Sequence, residues 1–157
     1  MNIRAFRTGD EPQLERVFYS AVHHLAAKNY SPEQLDAWAP ANPDMERWIE
    51  RMRMLKPFVA EEEGLILGYA DLQSDGQIDH FYVSGMHARQ GVGSLLMDAV
   101  HKRAQKLGLE RLYADVSHAA RPFFQHFGFQ TVEERRVVVA EVSMSNTRME
   151  KWLTKDR

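Results

Sequence analysis

The sequence predicts a single α/β domain of the α+β kind, in which a mixed sheet carries helices on both faces. The 157 residues fit one domain better than two. Segments of alternating or β-branched residues occur between segments in which apolar residues recur at helical spacing. No repeat, low-complexity segment or long linker divides the chain, so residues 1–157 are predicted to form one domain.

The first third of the chain predicts one strand followed by three helices. Residues 3–7 alternate apolar and basic side chains, and Asp10 after them is a candidate helix cap. Ser31 followed by Pro32 is a typical helix start. The predicted elements are a strand at 3–7 and helices at 11–28, 32–38 and 45–56.

The remaining residues predict six strands and two helices. Glu62-Glu63-Gly64 and Ser74-Asp75-Gly76 are turn signals between segments that favour strands. Gly108 and Gly128 follow apolar helical patterns and are expected to end two helices. The predicted strands are 58–61, 65–72, 77–83, 111–116, 130–140 and 141–152, and the predicted helices are 92–107 and 117–126.

Composition and motifs exclude several classes of protein. Cysteine is absent, which excludes disulfides, cysteine-ligated zinc and a thiolate nucleophile. The 20 basic and 22 acidic residues give no basic field for nucleic acid. The seven histidines show no metal-site spacing, and the H-E-x-x-H and G-x-S-x-G motifs are missing. The chain shows neither an export signal nor a spanning segment, so a soluble, cytoplasmic protein without metal, membrane or nucleic-acid partners is expected.

The most informative segment is the glycine loop, residues 84–94, SGMHARQGVGS, between a predicted strand and a predicted helix. Glycines let the backbone approach a ligand, and the first N–H groups of a helix are free donors at the positive end of its dipole. The loop therefore predicts an anion site with Arg89 beside it, although a turn that merely needs glycine is the alternative. The dinucleotide fingerprint fails at Leu96, and the P-loop motif is missing.

The glycine loop resembles the acyl-CoA pyrophosphate loop of the GNAT superfamily of N-acyltransferases, (Q/R)-x-x-G-x-(G/A). Three further segments are similar to that superfamily: the strand end at 81–83, the strand around 114–116 and the segment 121–129. Together they extend the resemblance over nearly the whole chain. Residues 30–38 and the Pro-Phe-Phe before Gly128 resemble its bacterial YafP-like branch.

The resemblance implies an acetyl-CoA-dependent N-acetyltransferase, with acetyl-CoA as co-substrate and no metal. Its fold is a mostly antiparallel sheet of six to seven strands, and acetyl-CoA lies where strands 4 and 5 splay apart. The implied cofactor-binding residues are Phe81, Tyr82, Val83, Arg89, Gln90, Gly91, Val92, Gly93, Ser94, Ser117, Phe123 and Phe124. The candidate acceptor-binding residues are His23, Tyr30 and Trp38, for which a purely structural role is the alternative.

The chain departs from the family pattern at three positions. Ala88 stands where many members have Gln or Arg, so neighbouring Arg89 is expected to supply the cation. Ser117 stands where Asn is common and keeps a hydrogen-bond donor. Phe124 stands where members often have the Tyr that protonates the departing thiolate, so the usual general acid is missing.

Asp79 is the candidate general base. An amine acceptor is mostly ammonium at neutral pH and must lose a proton before it attacks a thioester. Strand alternation places Asp79 on one side with Phe81 and Val83, a position that carries a catalytic side chain in some relatives. Capping of the turn at 74–76 or pairing with an arginine is the alternative role. His80 is expected on the opposite side unless a bulge intervenes.

Tyr82, Tyr113 and His126 are the candidate acids, although a thiolate can also leave without one. The sequence thus predicts transfer of acetyl from acetyl-CoA to a primary amine of a small molecule or peptide, by direct attack in a ternary complex. The alternative is a catalytically weak acyl-CoA-binding sensor or protein-partner module, which Phe124 favours. Exposed strands near the C-terminus permit a homodimer.

Overall fold

The computed structural model describes residues 1–88 and 90–154. Its elements are β1 (Asn2–Ala5), α1 (Glu11–Leu25), α2 (Pro32–Trp38), α3 (Met45–Leu55), β2 (Phe58–Glu62), β3 (Leu65–Ala70), β4 (Phe81–Val83), α4 (Val92–Leu107), β5 (Arg111–Val116), α5 (Arg121–His126), β6 (Gln130–Val139) and β7 (Val142–Trp152). A short 3-10 turn, Gly85–His87, lies between β4 and α4. The predicted α+β class is confirmed.

The starts of two helices show how local interactions set their boundaries. Ser31 caps α2, since its Oγ accepts the N–H of Gln34 at 3.1 Å while the Gln34 side chain accepts the N–H of Ser31 at 2.9 Å. Asp10 stands at the N-cap of α1 but makes no side-chain cap to it. Its carboxylate instead accepts the N–H of Arg7 and two hydrogen bonds from the Arg4 guanidinium. Asp10 thus occupies the predicted N-cap position, but its carboxylate pairs with Arg4 of β1 instead of accepting a hydrogen bond from the first turn of α1.

The fourth strand is shorter than predicted. β4 begins at Phe81, whereas the sequence predicts a strand over 77–83. The N–H groups of Asp79 and His80 both donate to one carboxylate oxygen of Asp71, at 2.9 and 2.6 Å. In a strand, these two N–H groups would donate to backbone carbonyls of a neighbouring strand. Because they donate to the Asp71 carboxylate instead, residues 71–80 form a loop.

The strands have helices on both faces, as predicted, but they form two antiparallel sheets instead of one mixed sheet. Their orders are β1-β2-β3-β4 and β5-β7-β6. Along β2 and β3, Ala60 and Leu67 are buried in one cluster with residues of α4, such as Leu96. The alternate residues Val59 and Ile66 are buried in a second cluster with residues of α1 and α3. Alternation along the strands thus attaches helices to both sides of the first sheet.

The two sheets are joined at one isolated bridge, which we call the hinge bridge. The N–H of Ile78 donates to the carbonyl of Tyr113 at 2.8 Å, and the N–H of Tyr113 donates to the carbonyl of Gly76 at 3.0 Å. Past this bridge, in the described part of the chain, β4 pairs only with β3 and β5 pairs only with β7. The predicted separation of strands 4 and 5 is therefore present.

Two surface features concern the predicted partners. Within residues 1–88 and 90–154, no helix has the length and apolar character needed to span a membrane. β6 is an edge of the second sheet, and most of its residues are exposed. Such an edge can pair with another strand, so the homodimer stays a prediction.

Substitution of Gly76 tests the hinge bridge. Gly76 has φ +95°, and a Cβ there would collide with the carbonyl of Arg111, whereas Gly64 has φ +81° and nothing near its Cβ position. We expect Gly64→Ala to lower the free energy of unfolding by about 1–2 kcal/mol, the cost of a left-handed backbone. Gly76→Ala should cost at least about 2 kcal/mol more, since the strands must move apart. Equal costs in urea unfolding would contradict a tight bridge.

Candidate active site

Three cavities lie near the gap between β4 and β5, and two of them are lined by residues of β4. The large groove, about 600 Å³, is lined by α1, β4, the start of α4 and residues 117–123. The gap cavity, about 350 Å³, is lined by residues 78–82, the end of β5 and the β6–β7 hairpin. The side cavity, about 330 Å³, is lined mainly by α3 and the loop before it. Trp38 lines all three, so it stands where they meet.

The start of α4 forms one end of the large groove. Gly91 occupies the N-cap with φ +85°, and no side chain caps this helix. Apart from its chain neighbours, a Cβ on Gly91 would meet no atom within 4 Å, so the space beside the N-cap is open. A helix N-terminus with open backbone donors suits the pyrophosphate of acetyl-CoA. The side chain of Val92 is buried in the core, so this residue can offer only its N–H.

The structure brings most of the predicted cofactor-binding residues to the large groove. Its lining includes Phe81, Tyr82, Val83, Gly91, Gly93, Ser94, Ser117 and Phe123. Gln90 is exposed beside the loop, and Arg89 lies outside the described residues. A Cβ on Gly93 would come within 2.9 Å of the Phe123 ring, which explains why glycine is needed at this close contact.

Phe124 is placed differently from Phe123. Its side chain is 3% exposed and belongs to the core that packs on α4. Its ring lies 5.5 Å from that of Phe81, and it lines the gap cavity rather than the large groove. A predicted cofactor contact of Phe124 therefore has no support in the large groove, because the core holds this side chain.

The large groove and the gap cavity meet along a shared wall. Five residues line both: Trp38, Phe81, Tyr82, Ser117 and Ala120. They come from the end of α2, from β4, and from the segment between β5 and α5. The large groove and the gap cavity thus adjoin at these five residues, and we call this junction the passage.

Asp79 lies in the gap cavity and is paired with Arg51 of α3. The Asp79 side chain is 25% exposed and that of Arg51 is 49% exposed, so both remain accessible. Arg51 also lines the side cavity, together with Arg47. Pairing with an arginine was the alternative role for Asp79, and the structure shows this pair. Asp79 nevertheless still lines the gap cavity.

Asp71 holds the backbone of the loop that carries Asp79. It has no exposed surface, and besides the N–H groups of Asp79 and His80 it accepts the Gln73 amide at 2.7 Å. Burial raises the pKa of Asp71 to about 6, although the hydrogen bonds from His80 and Gln73 oppose the rise. A buried carboxylate thus fixes the backbone at Asp79 and His80.

His80 also lines the gap cavity. Its ring packs with Tyr82 and Phe18, whereas the ring of Phe81 packs against Phe123 and Phe124, so His80 lies on the opposite side from Phe81, as expected. The Tyr69 hydroxyl lies 3.0 Å from His80 Nδ1. Burial lowers the pKa of His80 to about 4, with Arg51 adding to the decrease and Asp79 opposing it. His80 is therefore neutral at pH 7.

Tyr82 lies between the large groove and the gap cavity. Its ring packs edge-on against Phe18 at 4.9 Å and close to Tyr69 at 5.8 Å. Burial raises the pKa of Tyr82 well above its usual value, while a hydrogen bond from the Trp38 indole opposes the rise. The hydroxyl therefore keeps its proton over the physiological pH range and can act as a donor.

The other two candidate acids lie away from the three cavities. Tyr113 donates its hydroxyl proton to Asp75 at 2.6 Å on the far side of the hinge bridge. His126 is exposed at the end of α5. Neither residue is in the lining of the large groove or the gap cavity, so Tyr82 remains the candidate with access to both.

The candidate acceptor-binding residues divide into two groups. Trp38 and Tyr30 line the gap cavity, although Tyr30 is buried and donates its hydroxyl to the carbonyl of Ser145 at 2.8 Å. His23 lies outside the three cavities, with its ring stacked on Tyr19 and its Nε2 2.6 Å from the carbonyl of Ala39. These contacts give His23 a structural role between α1 and α2.

Sequence reasoning missed Arg51, Tyr69 and Asp71. Arg51 lies in a helix and Tyr69 in a strand, and the apolar patterns of these two segments predict only how they pack. One signal in the sequence could have found Asp71: its carboxylate comes directly after an almost uncharged strand. A carboxylate buried there needs hydrogen bonds to offset its loss of water. In the described parts of the chain, no group of three or more His, Asp and Glu side chains is arranged to hold a metal ion.

Comparisons with known proteins agree on one family. The family described as "Acetyltransferase (GNAT) domain" matches residues 26–152. The protein called "Uncharacterized N-acetyltransferase YafP" of Escherichia coli (strain K12) is 34% identical over 137 residues, which cover 87% of this chain and 86% of that protein. The match thus extends over most of both chains.

Solved structures show the same fold. A GCN5-related N-acetyltransferase from Rhodopseudomonas palustris has a TM-score of 0.92 and 30% identity, over 97% of this chain and 95% of that one. PaiA N-acetyltransferase from Thermoplasma acidophilum, in complex with coenzyme A, has a TM-score of 0.74 and 17% identity, over 98% of this chain and 100% of that one. YncA from Salmonella typhimurium, with acetyl-CoA, has a TM-score of 0.71 and 22% identity, over 100% of this chain and 96% of that one.

Substitution of Gly91 tests the proposed anion cradle. Gly91 and Gly108 stand at opposite ends of α4, both with positive φ and nothing within 4 Å of a built Cβ. Alanine at either position should therefore lower the free energy of unfolding by a similar amount, about 1–2 kcal/mol, through backbone strain. We expect Gly91→Ala to weaken acetyl-CoA binding at least tenfold in calorimetry, because the added methyl group fills the cradle. Gly108→Ala should bind as the wild type does, and equal affinities in all three proteins would contradict the cradle.

Substitution of Asp71 tests its buried carboxylate. An unfolded Asp has a pKa near ~3.9, so the folded protein, with a pKa of about 6, binds the proton more tightly between these values. The contribution of Asp71 to the free energy of unfolding should therefore decrease as pH rises from about 4 to about 6, by up to ~3 kcal/mol. Asp71→Asn should lack this decrease in urea unfolding at a series of pH values.

The matched control is Asp75→Asn. A hydrogen bond from Tyr113 lowers the pKa of Asp75, so its contribution to stability should be lost as pH falls, the opposite direction. A constant stability difference between wild type and Asp71→Asn from pH 4 to pH 7 would contradict the assignment.

Proposed function

Because this chain belongs to the GNAT family of acetyltransferases, we propose that it transfers acetyl from acetyl-CoA directly to a primary amine of a small molecule or peptide. The observation that supports this most is the passage where the large groove meets the gap cavity. A cofactor seated in the groove would extend its thioester into this passage, and an amine in the gap cavity would meet it there. No residue needs to carry the acetyl group, and cysteine is absent.

In the proposed reaction the neutral amine nitrogen attacks the thioester carbonyl carbon. A C–N bond forms, the C–S bond breaks, and the electron pair of that bond leaves with the CoA sulfur. The products are an amide and CoA. Holding both reactants at one passage makes the attack effectively unimolecular, which can lower its barrier by several kcal/mol.

We assign Asp79 as the group that accepts a proton from the amine. Its carboxylate lies in the gap cavity with part of its surface accessible, and its backbone is fixed by Asp71. Arg51 holds one side of this carboxylate. An ionised carboxylate only accepts hydrogen bonds, so beside the amine it can both orient an N–H group and remove a proton.

We assign Tyr82 as the proton donor to the departing thiolate. It is the candidate acid that lines both cavities, and its raised pKa keeps the hydroxyl protonated. Phe124, at the position where relatives often have this acid, is buried and has no proton to give. A thiolate with an intrinsic pKa near ~8.5 needs little assistance, so the contribution of Tyr82 is expected to be moderate.

Phe124 also supports the second candidate function, an acyl-CoA-binding sensor or protein-partner module with little catalysis. Such a protein would keep the large groove and the anion cradle but would not turn over acetyl-CoA. The two functions differ in one measurable property, release of CoA thiol in the presence of an amine.

The test is CoA-thiol release from acetyl-CoA over a panel of small amines, amino acids and peptides. We expect release with one class of acceptor, and a kcat at least ~100-fold lower in Asp79→Asn, a typical loss on removing a general base. Acetyl-CoA affinity should stay unchanged in this variant. Asp98→Asn is the control, since Asp98 is an exposed carboxylate on α4.

Arg51→Gln separates the two roles of Asp79. If Asp79 serves only to pair with Arg51, Arg51→Gln and Asp79→Asn should lower kcat equally. We expect a smaller effect of Arg51→Gln, because the carboxylate remains. Bound acetyl-CoA with no thiol release for any acceptor would instead favour the sensor.

A further inference from the structure

One ring nitrogen of His80 is held by a fully buried hydroxyl. The Tyr69 hydroxyl lies 3.0 Å from His80 Nδ1, and Tyr69 has no exposed surface. Among residues 1–88 and 90–154, this nitrogen is the one hydrogen-bond partner that the structure gives the hydroxyl. A buried O–H without an acceptor costs about 1–3 kcal/mol. The hydroxyl of Tyr69 therefore donates its proton to Nδ1.

This direction of the hydrogen bond decides the tautomer of His80. A neutral imidazole has one N–H, and a ring that accepts at Nδ1 carries its proton on Nε2. Burial keeps His80 neutral, since it lowers the pKa to about 4. Burial also raises the pKa of Tyr69 well above its usual value, so its hydroxyl keeps the proton it donates. His80 thus carries an N–H at Nε2, for which the described residues provide no partner.

The position of this imidazole is also fixed. Its backbone N–H donates to Asp71 at 2.6 Å. Its ring packs against Phe18, Trp48 and Tyr82, with ring centroids 5.6, 6.0 and 5.3 Å away. A hydrogen-bond donor held by its neighbours needs little reorganisation when charge develops on a substrate.

We propose that His80 donates a hydrogen bond from Nε2 to a substrate oxygen in the gap cavity, and that Tyr69 is the positioning residue that fixes this tautomer. The proposal rests on the proposed acetyl transfer. The oxygen is either that of the acetyl carbonyl, which becomes negative when the amine attacks, or an oxygen of the acceptor. No proton leaves His80, so it complements Asp79 rather than replacing it as the base.

The first test measures the tautomer directly. Long-range proton–nitrogen correlation NMR on protein with ¹⁵N-labelled histidine reports which ring nitrogen is protonated, and the His80 signals are those lost in His80→Gln. We expect the Nε2–H form in the wild type at pH 7, and loss of this single form in Tyr69→Phe. Tyr19→Phe, which removes a hydroxyl outside the three cavities, should leave it unchanged. An Nδ1–H or charged imidazole in the wild type would overturn the proposal.

The second test measures turnover. If the acetyl oxygen is the partner, His80→Leu should lower kcat at least tenfold with every acceptor. If an acceptor oxygen is the partner, His80→Leu should raise KM at least tenfold, and only for acceptors that carry an oxygen. His80→Gln should recover part of the loss, because its amide can donate. Tyr69→Phe should change the same parameter as His80→Leu. Wild-type kinetics in His80→Leu would overturn the donor role.

These outcomes separate the proposal from the proposed function. A wild-type protein that binds acetyl-CoA but acetylates no amine would contradict acetyl transfer and, with it, the donor role of His80. The NMR result would still decide whether Tyr69 sets the tautomer, because it does not depend on turnover.

Discussion

The hinge bridge is the constraint on which the rest of the site depends. Two hydrogen bonds join Tyr113 to Gly76 and Ile78, and they hold the two sheets together at one end only. Past this point, in the residues that the structure describes, β4 and β5 are not paired with each other, and residues of both strands line the gap cavity. A continuous sheet would fill this space with paired backbone. The separation of the strands leaves the large groove and the gap cavity side by side, and the proposed acetyl transfer depends on this arrangement.

The loop before β4 turns this passage into a defined chemical environment. Asp71 and Tyr69, both buried in or directly after β3, hold the backbone of Asp79 and His80 and the ring of His80. A buried carboxylate is unfavourable, and three hydrogen bonds offset its loss of water. The result is a partly accessible carboxylate next to an imidazole that burial keeps neutral.

Local patterns were sufficient to predict the fold class and the position of the glycine loop before α4. The alternation in β2 and β3, the apolar stripe of α4 and the glycines at 91 and 93 are properties of short segments, so the sequence alone shows them. The pairing of Asp79 with Arg51 joins residues that are 28 positions apart, and no local pattern contains it. The fourth strand was predicted four residues too long, because its alternation was extended into residues that Asp71 holds in a loop. Side-chain roles at the site thus depend on tertiary contacts that residue spacing does not determine.

The account is tested most directly by a crystal structure of the protein with coenzyme A. It predicts the pyrophosphate at the N–H groups of Val92 to Ser94, with the pantetheine passing between β4 and β5. The sulfur should lie in the passage lined by Tyr82 and Ser117 and open to the gap cavity. Coenzyme A bound elsewhere, or β4 and β5 closed into one continuous sheet beneath it, would contradict the account.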